Sequence, residues 1–404
     1  MSSLREEVWY TKLSAAVETV YPHIRVISGS ATDPEIIADG QKVLLFCSPN
    51  YLGLSNDFRI CQSFHEAVNG YGVGTNGSGI VSGYTDIHKQ LEEKFAAFMN
   101  EESAVFFNAV SDASAGVITS VVSPPLLSLY PGSSSSDLGD VAVFCDVQNH
   151  ASLFDAVKLS QPDKTFVYHH CDVEYLEKCL QRSTHKRKLI ITDGYFSMSA
   201  RVAPLPEIIN LANTYGALVL VDDAHGDGVL GNYGRGTLEY FGISNDTCLK
   251  VHSVAKAYGV RGGLATGDLA FTRYLRVSAR RYMFSGTLPA AIPAAVCTAL
   301  DIAQKEPWRR RQVLANAEYV RQGLLDLGYT VLGEKHIVPW FIGDDTKADA
   351  VSTVLEDHGI FASSIRYPAV PKGEALIRFM PMATHTKEHL DRLLAACKDA
   401  GQYL

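Results

Sequence analysis

An aspartate, a histidine and a lysine in the second half of the chain form a set that could bind an aldehyde cofactor. Asp222 ends the apolar run GALVLVD, His225 follows it closely, and Lys256 lies further on in VHSVAKAYGVRGG. A lysine amine can form an imine, a carboxylate can keep a pyridine nitrogen protonated, and an imidazole can bond a phenolic oxygen. The set therefore fits Schiff-base chemistry on pyridoxal 5'-phosphate.

The surroundings of Lys256 favour a functional lysine. Most lysines in most chains are solvated surface residues. Here Gly259, Gly262 and Gly263 follow the lysine, and glycines let the backbone pack closely and leave the amine facing a cavity. The glycine pattern therefore argues against a solvated Lys256.

The glycine spacing in Gly226–Gly231, GDGVLG, also matches a dinucleotide-binding loop. That loop needs a strand running directly into the turn and a helix directly after it, so that the helix start faces the pyrophosphate. Here polar residues separate the strand from Gly226, and the following NYGRG is too rich in glycine to begin a helix. We therefore reject a nicotinamide-type site.

Short apolar strands alternate with helical patterns through the middle of the chain. The strands are VAVFCD, KTFVYH, KLIITDG and GALVLVDD, and the helical patterns include VEYLEKCLQR and LPEIINLANTY. This alternation predicts an α/β fold with a mostly parallel sheet covered by helices. Because ligands collect at the carboxyl ends of such strands, Asp146, Asp193 and Asp222 should lie at the functional edge.

The composition is that of a globular chain without polyanion-binding character. The 404 residues are 47% hydrophobic and 20% charged, and the net charge of -8 argues against nucleic acid as a partner. The N-terminus is polar, and no apolar run reaches the ~20 residues of a membrane span, so we expect a cytoplasmic protein. The eight cysteines are dispersed without the paired spacing of a zinc site, so we predict reduced thiols and no metal.

Three regions are predicted along the chain. Residues 1–45 form an N-terminal arm, 46–290 a large cofactor-binding domain and 291–404 a smaller α+β domain. A long helical stretch from about residue 288 leads from the large domain into the small one. The segment at 123–140 has the proline and serine content of a surface loop.

Six segments in chain order resemble motifs of the α-oxoamine synthase family, the class II pyridoxal phosphate-dependent acyltransferases. They are NYLGLSND, GSGIVSGYTDIHKQLEEKFAAFM, NHASLFDA, TDGYFSMSARVAPLPEIINLANTYGALVLVDDAHGDGVLG, HSVAKAYGVRGG and IRFMPMATHTKEHLDRL. The family makes 8-amino-7-oxononanoate, 2-amino-3-ketobutyrate, 5-aminolevulinate and 3-ketosphinganine. The resemblance, which runs from about residue 45 to the C-terminus, implies an aminotransferase-like fold of type I with a seven-stranded sheet. It also implies a homodimer whose active sites lie between subunits.

The resemblance assigns roles to the residues that match its motifs. Lys256 resembles the lysine that holds the cofactor, and Asp222 resembles the partner of the ring nitrogen. His225 matches the residue that bonds the phenolic oxygen, and His150 of NHASL matches the histidine that stacks on the pyridine face. A flat imidazole suits stacking and can also reach a substrate carboxylate.

Hydroxyl residues complete the cofactor site that the resemblance implies. Small hydroxyls and the backbone amides at a helix start bind phosphate without titrating. The residues that match are Ser111, Ser197, Ser253, Ser285 and Thr287. Ser285 and Thr287 would reach the phosphate of the neighbouring subunit. Around Ser111 the aromatic residue usual in the family is missing.

The expected substrates are an amino acid and an acyl thioester. Arg378 of LIRFMP matches the family arginine that holds the amino-acid carboxylate, for which its paired donors are suited. Asn50 of NYLGL would assist it. The resemblance implies a decarboxylative Claisen-type condensation, in which coenzyme A or a carrier protein leaves and an α-amino ketone, CO2 and free thiol are formed.

Several departures from the family pattern leave the substrates open. Gly79 stands where relatives have arginine in a Gly-Ser-Arg triplet, and Arg201 occupies a turn that is often acidic. The sequence chooses neither the amino acid nor the acyl donor. Two other functions stay open: different carbanion chemistry, such as transamination, aldol cleavage or condensation with a non-thioester electrophile, and a non-catalytic subunit that stabilises an active paralogue.

Overall fold

A seven-stranded sheet forms the centre of the protein. The structure is a computed structural model and describes residues 9–13, 24–125 and 138–404, so that most of the predicted loop at 123–140 and much of the predicted N-terminal arm lie outside it. In spatial order the strands are Ser103–Phe107, Gly263–Gly267, Leu249–Ser253, Leu218–Asp222, Arg187–Asp193, Val141–Asp146 and Lys164–Tyr168.

Within this sheet only Gly263–Gly267 runs against its neighbours. Its Leu264 is paired with Phe106 on one side and with His252 on the other, both in antiparallel register. The parallel strands are apolar on both faces, and Phe144 has no exposed surface, as expected for a sheet covered on both sides. The prediction of a mostly parallel seven-stranded sheet is confirmed.

Helices cover both faces of the sheet, and two of them follow the predicted periodicity as Val173–Arg182 and Leu205–Tyr215. Asp172 begins the first by accepting the Tyr175 N–H at 2.8 Å, and Gly216 ends the second in a left-handed conformation. The other helices of this region are Phe58–Tyr71, Asp86–Met99, Val110–Val122, Ala151–Ser160, Thr237–Phe241, Leu269–Ser278 and Arg280–Met283. In the described part of the chain, no helix is both long and apolar enough to cross a membrane.

A second sheet, which is antiparallel, lies in the C-terminal part of the chain. Its strands in spatial order are Val338–Gly343, Ala375–Phe379 and Ser364–Ile365. Helices Asp345–Asp357 and Lys387–Ala400 contribute to a core around Trp340 and Phe379, neither of which has exposed surface. The predicted α+β character of the tail is therefore present.

The N-terminal strands join the C-terminal part. The strands Ile27–Ser28, Glu35–Ala38 and Gln41–Leu45 form a sheet that continues onto Ile360–Phe361. Leu44 pairs in parallel with Ile360, and both Leu44 and Phe46 belong to the core that contains Trp340. The predicted division between the N-terminal arm and the large domain, after residue 45, stays a prediction. Leu44 and Phe46, on either side of it, pack in the same core.

The long helical stretch predicted from about residue 288 is two helices, Ala291–Lys305 and Trp308–Asp326. Pro307 separates them, because proline has no N–H to continue the first helix and its fixed φ suits the start of the second. The first helix packs on helix Phe58–Tyr71, whereas Leu324 of the second lies in the C-terminal core. Val313 of the second helix still belongs to the core that the first helix enters, so the chain changes from one core to the other within the second helix, between Val313 and Ala317.

Candidate active site

The carboxyl edge of the large sheet concentrates acidic side chains. Asp193 and Asp222 end neighbouring parallel strands and lie opposite each other in the register. Asp222 is buried and accepts hydrogen bonds from the Ala224 N–H at 3.1 Å and the Ser114 hydroxyl at 3.5 Å. Burial and the charge of Asp222 raise the pKa of Asp193 well above its usual value, and Lys256 opposes that shift. The predicted functional edge is therefore an acidic, largely desolvated place.

Lys256 lies in the turn after strand Leu249–Ser253, close to these acids. Burial lowers the pKa of Lys256, and the charges of Asp222 and Asp193 oppose that shift. In the same turn Gly259 has a φ of 69°, and a Cβ there would lie 2.6 Å from the backbone nitrogen of Ser55, so the close packing requires glycine. A lowered pKa increases the fraction of neutral amine, which is the form that reacts with an aldehyde.

His225 contacts a tyrosine that the sequence analysis did not select. The Tyr51 hydroxyl lies 2.8 Å from His225 Nδ1. Burial, together with the charges of Lys256 and Arg378, lowers the pKa of His225 well below its usual value, so the imidazole is neutral near pH 7. When Tyr51 donates to Nδ1, Nε2 keeps its proton and can donate to an oxygen. The available signal for Tyr51 was its place beside Asn50 in NYLGL.

His150 begins helix Ala151–Ser160 at the same edge of the sheet. Its backbone N–H donates to Asp193 Oδ2 at 3.0 Å, and its ring Nδ1 lies 2.7 Å from the Ser152 hydroxyl. The neighbouring Asn149 accepts the Asp193 N–H through its side-chain oxygen at 3.1 Å. These bonds fix the positions of Asn149 and His150 relative to the strand that ends at Asp193.

Electrostatic interactions link the four principal predicted residues. Burial lowers the pKa of His150, Asp222 opposes this shift, and Lys256 adds to it. Lys256 and His150 also lower the pKa of His225, after the larger effect of burial. The structure thus brings Lys256, Asp222, His225 and His150 together, and their roles toward a cofactor stay predictions.

A helix start reaches the same edge. Helix Val110–Val122 begins without a side-chain hydrogen bond from Ala109, and Ser111 in its first turn is exposed. A Cβ on Gly263 would lie 2.4 Å from Val110 Cα, so the reversed strand packs directly against this helix start. Because the first N–H groups of a helix lack intrahelical partners, this end can bind an anion such as a phosphate.

Ser253 lies at the end of the strand that leads to Lys256. Its N–H donates to Asp227 Oδ2 at 3.2 Å, and its hydroxyl accepts the Ala255 N–H at 3.3 Å. The hydroxyl proton is thus available for a further acceptor. The position agrees with the predicted phosphate role, which stays a prediction.

Ser285 and Thr287 follow helix Arg280–Met283. The Asn108 side chain, which immediately precedes the helix start at Val110–Val122, donates to Ser285 Oγ at 3.0 Å. The Thr287 hydroxyl donates to the Gly83 carbonyl at 2.5 Å. Ser285 is therefore close to the start of helix Val110–Val122 in its own chain, whereas the Thr287 hydroxyl already has an acceptor. Their predicted reach into a neighbouring subunit stays a prediction.

Arg378 approaches the site from the C-terminal sheet. Its Nη1 donates to the Ser197 carbonyl oxygen at 3.5 Å and to Met198 Sδ at 3.4 Å, and neither partner is a carboxylate. Its Nε is buried and has no hydrogen-bond partner among the described residues. A buried cation without an anionic partner costs folding free energy. The geometry therefore fits a bound carboxylate that would supply the missing hydrogen-bond partner of Arg378. Ser197 lies with His150 on the wall of a cavity of 720 Å³ between the two sheets.

Asn50 has a structural position. Its side-chain oxygen accepts the N–H groups of Leu54 at 3.0 Å and Ser55 at 3.3 Å, and its amide donates to the Thr32 carbonyl at 3.0 Å. These bonds hold the turn that places Tyr51 beside His225. The predicted contact of Asn50 with substrate stays a prediction, and its described bonds are all within the chain.

His336 is a further buried histidine that no sequence signal revealed. Its ring centroid lies 4.4 Å from that of Tyr51, and it has no exposed surface. Burial lowers the pKa of His336 to about 3. The site therefore contains a second neutral imidazole behind the Tyr51–His225 pair.

The whole chain is similar to known proteins. The family described as Aminotransferase class I and II matches residues 41–396. An 8-amino-7-oxononanoate synthase from Lysinibacillus sphaericus is 40% identical over 92% of both chains, and a serine palmitoyltransferase from Bacteriovorax stolpii is 37% identical over 90% of this chain and 84% of that one. A serine palmitoyltransferase variant from S. paucimobilis, solved with bound pyridoxal phosphate, is 25% identical and covers 100% of this chain and 99% of its own, with a TM-score of 0.89.

The chain belongs to the aminotransferase class I and II family. Within that family its relatives are 8-amino-7-oxononanoate synthases and serine palmitoyltransferases, so it is placed among the α-oxoamine synthases. The resemblance seen in the sequence and the expected type I fold are both confirmed.

Proposed function

We propose that the protein is a pyridoxal phosphate-dependent α-oxoamine synthase, a C-acyltransferase that condenses an α-amino acid with an acyl thioester. The products are an α-amino ketone, CO2 and free thiol. The observation that carries the proposal is the meeting of Lys256 and Asp222 at one sheet edge with the guanidinium of Arg378, whose Nε has no hydrogen-bond partner in the described chain. The family membership and the cofactor of the S. paucimobilis relative support it.

The described residues fit pyridoxal phosphate. The start of helix Val110–Val122 and the hydroxyls of Ser111 and Ser253 offer donors that do not titrate for a phosphate. Asp222 offers a buried carboxylate for a protonated ring nitrogen, and neutral His225 offers Nε2–H for the phenolic oxygen. When bound, the cofactor supplies an aldehyde that takes up the amino acid and a cationic ring that withdraws electrons from its α-carbon.

Lys256 is the general base of the proposed reaction. Its amine must be neutral to accept the proton from the α-carbon of the amino acid. Burial lowers the pKa of Lys256 and so favours the neutral amine, whereas the charges of Asp222 and Asp193 raise that pKa and limit the shift. His150, held by Asp193 through its backbone, lines the neighbouring cavity with Ser197.

Arg378 orients the amino acid. Its guanidinium holds the substrate carboxylate with paired hydrogen bonds, which supplies the partner that Nε lacks in the described chain. When Arg378 holds the carboxylate on the side of the C-terminal sheet, the α-proton can face Lys256, whose amine accepts it. The carboxylate is lost as CO2 only after the new carbon–carbon bond has made a β-keto acid.

The acyl thioester enters through the cavity of 720 Å³ that His150 and Ser197 line. Part of its wall is apolar, with Phe341 and Leu376 among the lining residues, which suits an acyl chain. The α-carbon forms a bond to the thioester carbonyl carbon, and the carbon–sulfur bond breaks to release the thiol. The acyl chain length and the amino acid are not specified by these features.

The proposal includes a homodimer in the cytoplasm. Large apolar side chains are exposed beside the segment that carries Ser285 and Thr287: Val73 is 81% exposed, Val81 79% and Phe284 71%. The Thr287 N–H donates to the carbonyl of Gly77 at 3.1 Å, which ties these segments into one surface. Exposed apolar patches of this kind commonly mark protein interfaces. This surface supports the proposal that a second copy of the chain covers it.

Product analysis tests the proposed reaction. The purified protein, loaded with pyridoxal phosphate, is given single amino acids together with acyl-coenzyme A of different chain lengths. Thiol and CO2 released in equal amounts, and only when both substrates are present, would support acyl transfer. Release of a keto acid without thiol would instead support transamination, and no turnover with any pair would support a non-catalytic subunit.

A further inference from the structure

A second group of reactive side chains reaches the same cavity through His170 and Ser199, with Asp146 buried behind them. Asp146 ends strand Val141–Asp146, His170 follows strand Lys164–Tyr168, and Ser199 lies in the turn after Arg187–Asp193. His170 Nδ1 is 3.0 Å from Asp146 Oδ1, and His170 Nε2 is 2.9 Å from Ser199 Oγ. We call Asp146, His170 and Ser199 the serine triad. None of the three belongs to the proposed synthase machinery.

The hydrogen bonds define the direction of proton transfer in the serine triad. Asp146 is 1% exposed, and its carboxylate also accepts the N–H groups of Gln148 at 2.8 Å and Cys171 at 2.7 Å. A carboxylate only accepts, so His170 Nδ1 carries the ring proton and Nε2 accepts the Ser199 hydroxyl. The Cys171 thiol lies farther away, 3.7 Å from both ring nitrogens. This is the serine, histidine and aspartate arrangement that activates a nucleophile on unrelated folds.

The backbone around the serine triad is held in an uncommon conformation. Cys171, which follows His170, has a φ of 53°, and Ala200, which follows Ser199, has a φ of 50°. Residues with a side chain seldom adopt positive φ, and such positions cluster where function requires a fixed geometry. The two turns therefore hold the imidazole and the hydroxyl against each other.

The hydroxyl of the serine triad has access to a ligand. Ser199 and His170 line the cavity of 720 Å³ that also contains His150 and the apolar side chains of Phe341 and Leu376. Gln148 lies on the same wall, and its amide oxygen is buried without a hydrogen-bond partner in the described part of the chain. The apolar part of the cavity wall beside the Ser199 hydroxyl suits an acyl chain.

We propose that Ser199 is the nucleophile of a second activity, the hydrolysis of acyl thioesters. The choice of a thioester rests on the proposed synthase function, whose acyl donor enters the same cavity. Ser199 Oγ forms a bond to the thioester carbonyl carbon as its proton passes to His170 Nε2. The carbon–sulfur bond breaks, and the thiolate takes that proton from His170. Water then adds to the serine ester with His170 as base, which releases the carboxylic acid and restores Ser199.

Thioester hydrolysis without an amino acid tests the proposal. The purified, cofactor-loaded enzyme is incubated with acetyl-, octanoyl- or palmitoyl-coenzyme A, and thiol and free acid are measured. We expect equal release of both, and a loss of at least ~100-fold in Ser199→Ala and His170→Gln. The matched control is Ser183→Ala, because Ser183 also contacts a histidine, His185 Nδ1 at 3.1 Å, but does not line the cavity.

Covalent labelling supplies a second measurement that does not depend on a variant. A fluorophosphonate probe reacts with activated serines, and we expect peptide mass spectrometry to find it on Ser199 of the wild-type enzyme. Absence of both labelling and amino acid-independent hydrolysis in the wild type would overturn the proposal, as would full hydrolysis by Ser199→Ala. CO2 release measured in the same preparations separates the two functions. Hydrolysis without amino acid-dependent CO2 would overturn the synthase proposal alone.

Discussion

The two sides of the candidate active site differ in the hydrogen bonds that their polar groups form within the chain. On the side of the large sheet, two of the polar groups already have partners: Asp193 accepts the His150 N–H at 3.0 Å, and the Tyr51 hydroxyl lies 2.8 Å from His225 Nδ1. On the side of the C-terminal sheet, Arg378 has contacts of 3.4 and 3.5 Å, and its Nε has no hydrogen-bond partner in the described part of the chain. Asp193 and His225 are thus hydrogen-bonded within the chain, whereas Arg378 Nε is not.

We propose that this difference separates the part of the site that would hold the cofactor from the part that would receive a substrate. Groups locked by their own hydrogen bonds keep a fixed geometry through every turnover. A buried donor without a partner costs about 1–3 kcal/mol, and a ligand that supplies the partner recovers that free energy on binding. We therefore expect Arg378 to bind a ligand that arrives and leaves. Substitutions on the two sides should have correspondingly different kinetic effects.

The largest effect is expected on the sheet side, from Lys256→Ala. Removing the amine removes the proposed base, and we expect kcat/KM for amino acid-dependent thiol release to fall at least ~1000-fold. The matched control is Lys158→Ala, on an exposed position of helix Ala151–Ser160. Circular dichroism of both variants checks that the fold is retained. Multiple turnovers at more than a tenth of the wild-type rate in Lys256→Ala would contradict its role.

A smaller effect of a different kind is expected on the C-terminal side. Arg378→Ala removes the guanidinium, so we expect KM for the amino acid to rise ~100-fold, with a smaller change in the KM for the thioester. Arg378→Lys keeps the charge without the paired donors and should recover only part of the loss. Arg392→Ala, at an exposed position, is the control. An unchanged KM in Arg378→Ala would mean that the C-terminal side does not receive the carboxylate.

Sequence reasoning was most successful on the sheet side. Asp222 and Lys256 could be found because a strand end and a glycine-rich turn are local patterns, and the parallel alternation predicted that these local patterns meet at one edge. The register confirms this for Asp193 and Asp222, which lie opposite each other. The break at Pro307 was missed, although proline has a local signal, because the apolar pattern continues on both sides of it.

Side-chain partners could not be predicted in the same way. Asn50 and Tyr51 are neighbours in the sequence, yet the first bonds its own turn and the second reaches His225. The direction of each side chain depends on backbone angles that no pattern in NYLGL specifies. The serine triad was hidden for the same reason, because Asp146, His170 and Ser199 follow three different strands and meet only through the sheet order.

Removing the Tyr51 hydroxyl tests whether turnover depends on the hydrogen bond between Tyr51 and His225. Tyr51→Phe keeps the ring and removes the hydroxyl at 2.8 Å from His225, so Nδ1 loses its described donor and the tautomer is no longer fixed. We expect kcat to fall about 10-fold, with the KM for the amino acid changed less than about 2-fold. Tyr233→Phe, at a position that is 62% exposed, is the control. A change confined to KM would contradict the division between the two sides.

Each side of the site also contains a buried, neutral histidine, and the two histidines have different roles. Burial lowers the pKa of His225 well below its usual value beside the proposed cofactor, and it lowers the pKa of His385 to about 3 in the C-terminal part. His385 stacks on Phe46 with ring centroids 4.2 Å apart and accepts the Met382 N–H at 2.8 Å. His385 therefore joins the N-terminal segment to the C-terminal core and has no proposed part in the chemistry.

The smallest expected effect is a change in stability with pH at His385. An exposed histidine in the unfolded chain has a pKa near 6.5, above the folded value of about 3, so acid protonates the unfolded state first and destabilises the fold. We expect the difference in unfolding free energy between wild type and His385→Asn to fall by about 1 kcal/mol between pH 7 and pH 5.5. Urea unfolding at both pH values measures it, with exposed His65→Asn as control. A difference independent of pH would mean that His385 is not held neutral, whereas a fall in kcat would give it a part in the active site.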